Sequence, residues 1–132
     1  LKKAAGVLSV LTPWLPVNKV EIDGVSRDPE YLAQAPNDPL CFYGNIVART
    51  GAEIAKAVDR VQGVMDEIRL PLIVLHGGSD RLAETAGGRR LHEQAGAADK
   101  TLKLYEGAYH ELFNDLDRER FYADLIAWLD AH

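Results

Sequence analysis

Apolar and polar positions along the 132 residues follow two regimes that meet near residue 70. Up to about residue 69 the apolar spacing is helical or irregular, and turn residues interrupt it without a convincing strand. Lys2 to Leu11 reads as a helix stopped by Pro13 and Pro16, and Val17 to Arg27 as irregular. Ser26-Arg27-Asp28-Pro29-Glu30 offers Ser or Asp as a cap, with Pro in the first turn of a short helix. Pro36-Asn37-Asp38-Pro39 is a turn. Ala52 to Arg69 is the clearest helix, since Ile54, Val58, Val61, Met65 and Ile68 recur every three or four positions, with Gly63 weakening it slightly.

From residue 70 the pattern alternates strand, helix, strand, helix. Leu72 to Leu75 is apolar at every position, which predicts a strand buried on both faces of a parallel sheet. Thr85 to Ala95 is a helix with Gly96 just after its end. Thr101 to Tyr105 is a strand with Leu102 and Leu104 on its apolar side. Arg118 to Ala131 is the final helix, with Phe121, Tyr122, Leu125, Ile126, Trp128 and Leu129 as its core stripe. Two strands cannot cover a parallel sheet, so the sheet is expected to be completed by other polypeptide, or by residues removed before this sequence begins.

Composition narrows the class. An apolar content of 47% is globular. A net charge of −5 with dispersed Lys and Arg argues against a nucleic-acid partner. The lone Cys41 excludes an internal disulfide and reads by default as a small buried hydrophobe. No run of eighteen apolar residues offers a membrane span. The start, Leu1-Lys2-Lys3, without Met or a signal-peptide pattern, reads as the interior of a longer sequence.

The candidate chemistry lies at two strand ends. Leu75-His76-Gly77-Gly78-Ser79-Asp80 is a strand that breaks at two glycines and ends in an acid, Asp80. The strand from Thr101 runs through Glu106-Gly107-Ala108-Tyr109 to His110. One helix and one strand separate the two residues, so both should emerge at the same end of the sheet. A carboxylate there can fix the tautomer of an imidazole and stabilise its protonated form. The plainer alternatives are a cap or Arg81 ion pair for Asp80, and a surface position beside Glu111 for His110. The nucleophile that such a pair serves sits in a G-x-S-x-G elbow, and none of Ser9, Ser26 and Ser79 has those flanking glycines. His76 and His92 lack metal-ligand spacing, and Gly77-Gly78 lacks the remainder of a phosphate loop.

The stretch Asp99-Lys100-Thr101-Leu102-Lys103-Leu104-Tyr105-Glu106-Gly107-Ala108-Tyr109-His110-Glu111 resembles the C-terminal segment of the monoacylglycerol lipases, of the serine α/β-hydrolase superfamily. Leu75-His76-Gly77-Gly78-Ser79-Asp80-Arg81-Leu82 resembles the acid-bearing turn of the same family. Ser26-Arg27-Asp28-Pro29-Glu30 and Asp38-Pro39-Leu40 resemble its cap region. The resemblance implies an α/β fold: the C-terminal part of an α/β-hydrolase, with two parallel core strands and their helices, plus a mostly helical cap. Residues 1–69 would be cap and connecting helix, and residues 70–132 the core carrying the triad acid and base.

It further implies Asp80 as triad acid, His110 as triad base and Glu30 as a polar contact to a substrate hydroxyl. The substrate would be a long-chain monoacylglycerol or related lipid ester. No cofactor and no metal would be needed, and a lipid-surface contact and a cytoplasmic or membrane-associated location would be expected. The N-terminal half of the core, with the nucleophilic Ser, would be a further partner. Ala35-Pro36 stands where the family usually carries Tyr-Asn lining a glycerol pocket, so a lysophospholipase or general carboxylesterase fits too. An Asp-nucleophile hydrolase and a noncatalytic binding module on the same fold are the other readings.

Overall fold

A computed structural model describes residues 9–19, 21–42 and 44–132. The chain forms two compact units, one of Leu1–Val20 with Phe42–Val64, the other of Glu21–Cys41 with Met65–His132. Neither is continuous in sequence.

In the first unit, β1 (Pro16–Lys19) pairs antiparallel with β2 (Asn45–Val47), with an irregularity between Pro16 and Asn18. No strand was expected here. The reason is physical: β1 is four residues long and exposed throughout, so it has no buried face to impose an alternation. The helix expected over Ala52 to Arg69 instead runs from Ala48 to Gln62 as α2. Its start needs no side-chain cap, because the carbonyls of Leu15 and Pro13 accept from the N–H groups of Ala48 and Arg49. Its end falls at Gly63, and Met65–Glu67 forms a separate 3₁₀ turn, so Met65 and Ile68 leave the helical stripe. Ile54, Val58 and Val61, on its apolar stripe, are about half exposed. Residues 9–11 are helical; the rest of the helix expected from Lys2 lies outside the described residues.

The second unit contains α1 (Pro29–Gln34), β3 (Leu72–Gly77), α3 (Thr85–Gln94), β4 (Lys100–Tyr105) and α4 (Arg118–Asp130). The strands β3 and β4 are parallel, in register from Leu72 opposite Lys100 to Gly77 opposite Tyr105. Side chains alternate across a strand. Val74 and His76 meet α3 at Gly88, while Leu75 and Tyr105 pack on the other side with Phe121 of α4. The sheet is therefore a middle layer between two helices.

The α4 side of β4 was expected to be the polar one. Tyr105 is instead buried there, and Asp124 of α4 accepts from its hydroxyl at 2.8 Å and pairs with Lys103. One carboxylate of the covering helix thus serves both the Tyr105 hydroxyl and the Lys103 ammonium. Leu72, Ile73 and Leu75 are half-buried rather than buried, since β3 has one strand neighbour among the described residues. In α4, Tyr122, Ile126 and Leu129 are exposed, so its stripe is only partly core. Cys41 is exposed, contrary to its expected burial.

Candidate active site

The acid arrives on a backbone that only glycine permits. Gly77 ends β3 so close to the next loop that a Cβ there would collide with the carbonyl oxygens of Ala108 and Tyr109. Gly78 N–H then donates to Tyr105 O at 2.7 Å and Ser79 N–H to Ala108 O at 3.0 Å. The turn after β3 is thereby stitched to the loop after β4. The loop itself turns at Gly107, the one described residue with positive φ, at 76°.

These contacts bring Asp80 and His110 together, with Nδ1 of the imidazole 2.8 Å from Oδ2 of the carboxylate. The two carboxylate oxygens divide their partners. Oδ1 accepts from the N–H groups of Leu82 at 2.8 Å and Ala83 at 3.0 Å, closing a tight turn. Oδ2 is left to accept from His110. Asp80 thus closes the turn with one oxygen and meets the imidazole with the other. Arg81 does not pair with Asp80; it donates to the Tyr109 hydroxyl at 3.0 Å and lies over that ring.

Electrostatically the pair is asymmetric. The Asp80 side chain is 3% exposed and that of His110 42%. Burial pushes Asp80 upward, but the N–H groups of Ala83 and Leu82 and the His110 ring outweigh it, holding the carboxyl below its ordinary range. An ionised Asp80 requires the proton on His110 Nδ1, which turns the Nε2 lone pair outward. His76 Nε2 lies 3.9 Å from the same Oδ2, too far for a hydrogen bond.

Glu30 is in α1, exposed, with a long 3.4 Å contact from Gln34. It lines an open cavity of about 230 Å³ with Asp28, Tyr31, Gln34, Asn114 and Arg118. Among the described residues no contact joins it to Asp80 or His110. Asp28, not Ser26, caps α1, accepting from the N–H groups of Glu30 and Tyr31. Sequence reasoning missed the groups that fix the His110 loop: Arg27, Tyr109 and Asp115. Asp115 lies in Asn114-Asp115-Leu116-Asp117, a polar loop in which nothing marks one acid as buried.

Two parallel strands between helices, with an acid and a base at their C-terminal ends, form the C-terminal part of an α/β-hydrolase fold. The chain belongs to the Hydrolase_4 family (serine aminopeptidase, S33), whose model matches residues 1–117. It is 34% identical over all 132 residues to a monoacylglycerol lipase of Mycolicibacterium smegmatis, covering 47% of that protein. It is 34% identical over 113 residues to the monoglyceride lipase of Homo sapiens, with 86% of this chain and 37% of that protein covered. The crystal structure of a Paleococcus ferrophilus monoacylglycerol lipase superposes with a TM-score of 0.88 at 30% identity. That match covers 99% of this chain and 51% of the other. The chain thus spans about half the length, or less, of these relatives.

Proposed function

We propose that this chain supplies the triad acid and base of a serine ester hydrolase acting on long-chain monoacylglycerols, with the nucleophile on polypeptide outside these 132 residues. The observation that carries the reading is the 2.8 Å contact between a buried carboxylate and a part-exposed imidazole at the ends of parallel strands. His110 Nε2 would take the proton from the serine hydroxyl as it attacks the ester carbonyl, then return it to the leaving alcohol. Asp80 would hold the ring in the required tautomer and stabilise its charged form. Backbone N–H groups of the nucleophile-bearing half would receive the oxyanion. Glu30, on an open polar cavity, is the candidate contact to a substrate hydroxyl.

Ester cleavage with relaxed alcohol selectivity is a second reading, favoured by one feature. Ala35 is buried and Pro36 follows it, so this stretch offers no side-chain hydrogen bond to a glycerol hydroxyl. An apolar pocket discriminates between alcohols far less than one built to hydrogen-bond a hydroxyl.

The experiment is a hydrolysis assay with a long-chain monoacylglycerol, on the 132-residue chain alone and combined with a nucleophile-bearing half. The chain alone should show no serine-inhibitor-sensitive turnover. The combination should be active, and His110→Ala in it should lower kcat by roughly 10³-fold or more. Turnover by the chain alone, or full activity of His110→Ala, would refute the assignment.

A further inference from the structure

We propose that Asp115, together with Arg27, is the positioning group for His110, a second carboxylate that holds the base's loop by its backbone. The inference rests on the reading of Asp80 and His110 as an acid–base pair.

Asp115 is fully buried, yet it belongs to neither that pair nor the cavity beside Glu30. Its Oδ2 accepts from the backbone N–H groups of Tyr109 at 3.1 Å and Arg27 at 3.2 Å. Its Oδ1 accepts from Arg27 Nε at 2.7 Å and Leu116 N–H at 2.6 Å. A buried charge is retained only where its partners are complete, and removing one leaves it costly. Here the set is complete, and it spans 88 positions of sequence between Arg27 and Asp115. Burial pushes Asp115 upward, but Arg27 and the three N–H groups more than offset this, so the group stays charged.

The charge acts on the residue before His110. Tyr109 N–H is bound by Asp115, and the residue after the base is bound as well, Glu111 N–H donating to Val25 O at 2.8 Å. The His110 ring is exposed and has one hydrogen bond, to Asp80, so packing does little to orient it. Its direction is set by the backbone around it, held at Tyr109 N–H before the base and at Glu111 N–H after it. The segment from Val25 to Asp28 holds Glu111 directly, and holds Tyr109 through Asp115, which its Arg27 grips. Ser26 Oγ–H reinforces that segment, donating to Asn114 O at 2.7 Å, and Asp28 pairs with Arg118 at 2.6 Å.

The test reads the His110 ring directly. The ¹⁵N shifts of its two nitrogens, measured by NMR on the 132-residue chain with the ring neutral, report which nitrogen carries the proton. The wild type should show the Nδ1–H form that Asp80 selects. Asp115→Asn sets an amide NH₂ against one pair of N–H donors and removes the charge that holds Arg27, so the hold on Tyr109 N–H is weakened whichever way the amide faces. In the folded variant the ring should then shift toward the Nε2–H form that free imidazole favours. A merely structural role would lower the melting temperature and leave the tautomer of the folded state unchanged. An unchanged tautomer in folded Asp115→Asn overturns the proposal. Where that variant does not fold, Arg27→Gln decides by the same measurement: a partial shift supports the proposal and none overturns it. A wild-type ring already in the Nε2–H form would instead remove the acid–base reading, and the proposal with it.

Discussion

At the scale of single residues, Asp80 divides its two carboxylate oxygens between the turn and the imidazole. Oδ1 closes the turn over Leu82 and Ala83, and Oδ2 meets His110. Asp80→Asn separates the two. Asparagine can keep its oxygen on the turn and leave the fold intact, but its NH₂ then faces His110 Nδ1. Two donors oppose each other, and the ring must take the other tautomer or swing away. In an active assembly we expect kcat to fall by about 10⁴-fold while the chain stays folded, with a fall in melting temperature from the lost carboxylate charge. Steady-state kinetics beside a thermal melt checks this, and near-normal kcat would mean that Asp80 is not the acid. The contact between the two was legible from the sequence, because both residues follow closely on strands whose apolar patterns are plain. Asp115 was not. Its burial depends on Arg27, 88 positions away, and no local pattern reports a contact of that range.

At the scale of elements, legibility followed apolar patterning. The strands β3 and β4 and the helices α3 and α4 were found within a few residues of their limits, because each turns an apolar surface toward its neighbours. The ladder of β1 and β2 escaped notice because backbone hydrogen bonds hold it while its side chains stay mostly in solvent. The end of α2 was overrun because Met65 and Ile68 continue the helical spacing past Gly63, where the backbone leaves the helix. The junction between the turn after β3 and the loop after β4 makes its own prediction. Gly77→Ala would drive a methyl group into the carbonyls of Ala108 and Tyr109, both backbone atoms that cannot rotate away. Overpacking of this kind costs about 1–3 kcal/mol or more. The loop that carries His110 must yield with it, so stability and the Asp80–His110 contact should be lost together. Urea unfolding and the His110 ring shifts would show this, and a variant with wild-type stability would contradict the close approach.

At the scale of the whole molecule, charge sets the pH range over which the fold persists. Asp28, Asp80, Asp115 and Asp124 are all held below the ordinary carboxyl range, by Arg118, by N–H groups and His110, by Arg27 and N–H groups, and by Lys103 and Tyr105. As pH falls, the unfolded chain binds protons first, near the ordinary value of about 4. The stabilisation these groups give is therefore complete above about pH 5 and is lost progressively as pH falls through their folded values. Two groups act in the opposite sense. The Trp128 carbonyl and Asp99 raise His132, and burial with Asp124 raises Tyr105. Their contributions are present below about pH 6.5 and about pH 10 respectively, and fade as pH rises through the folded values. The urea midpoint of the 132-residue chain should fall steeply below pH 5, step down slightly on the alkaline side of the histidine range, and fall again above pH 10. The buried Asp115 should carry much of the acid limb, since its partners are the most fully enclosed. Asp115→Asn should lower the midpoint at pH 7 and flatten its dependence between pH 5 and pH 3. A wild-type midpoint unchanged between pH 6 and pH 3 would contradict the lowered carboxyls, and an equally steep acid limb in Asp115→Asn would move its origin to the more exposed pairs of Asp28 and Asp124.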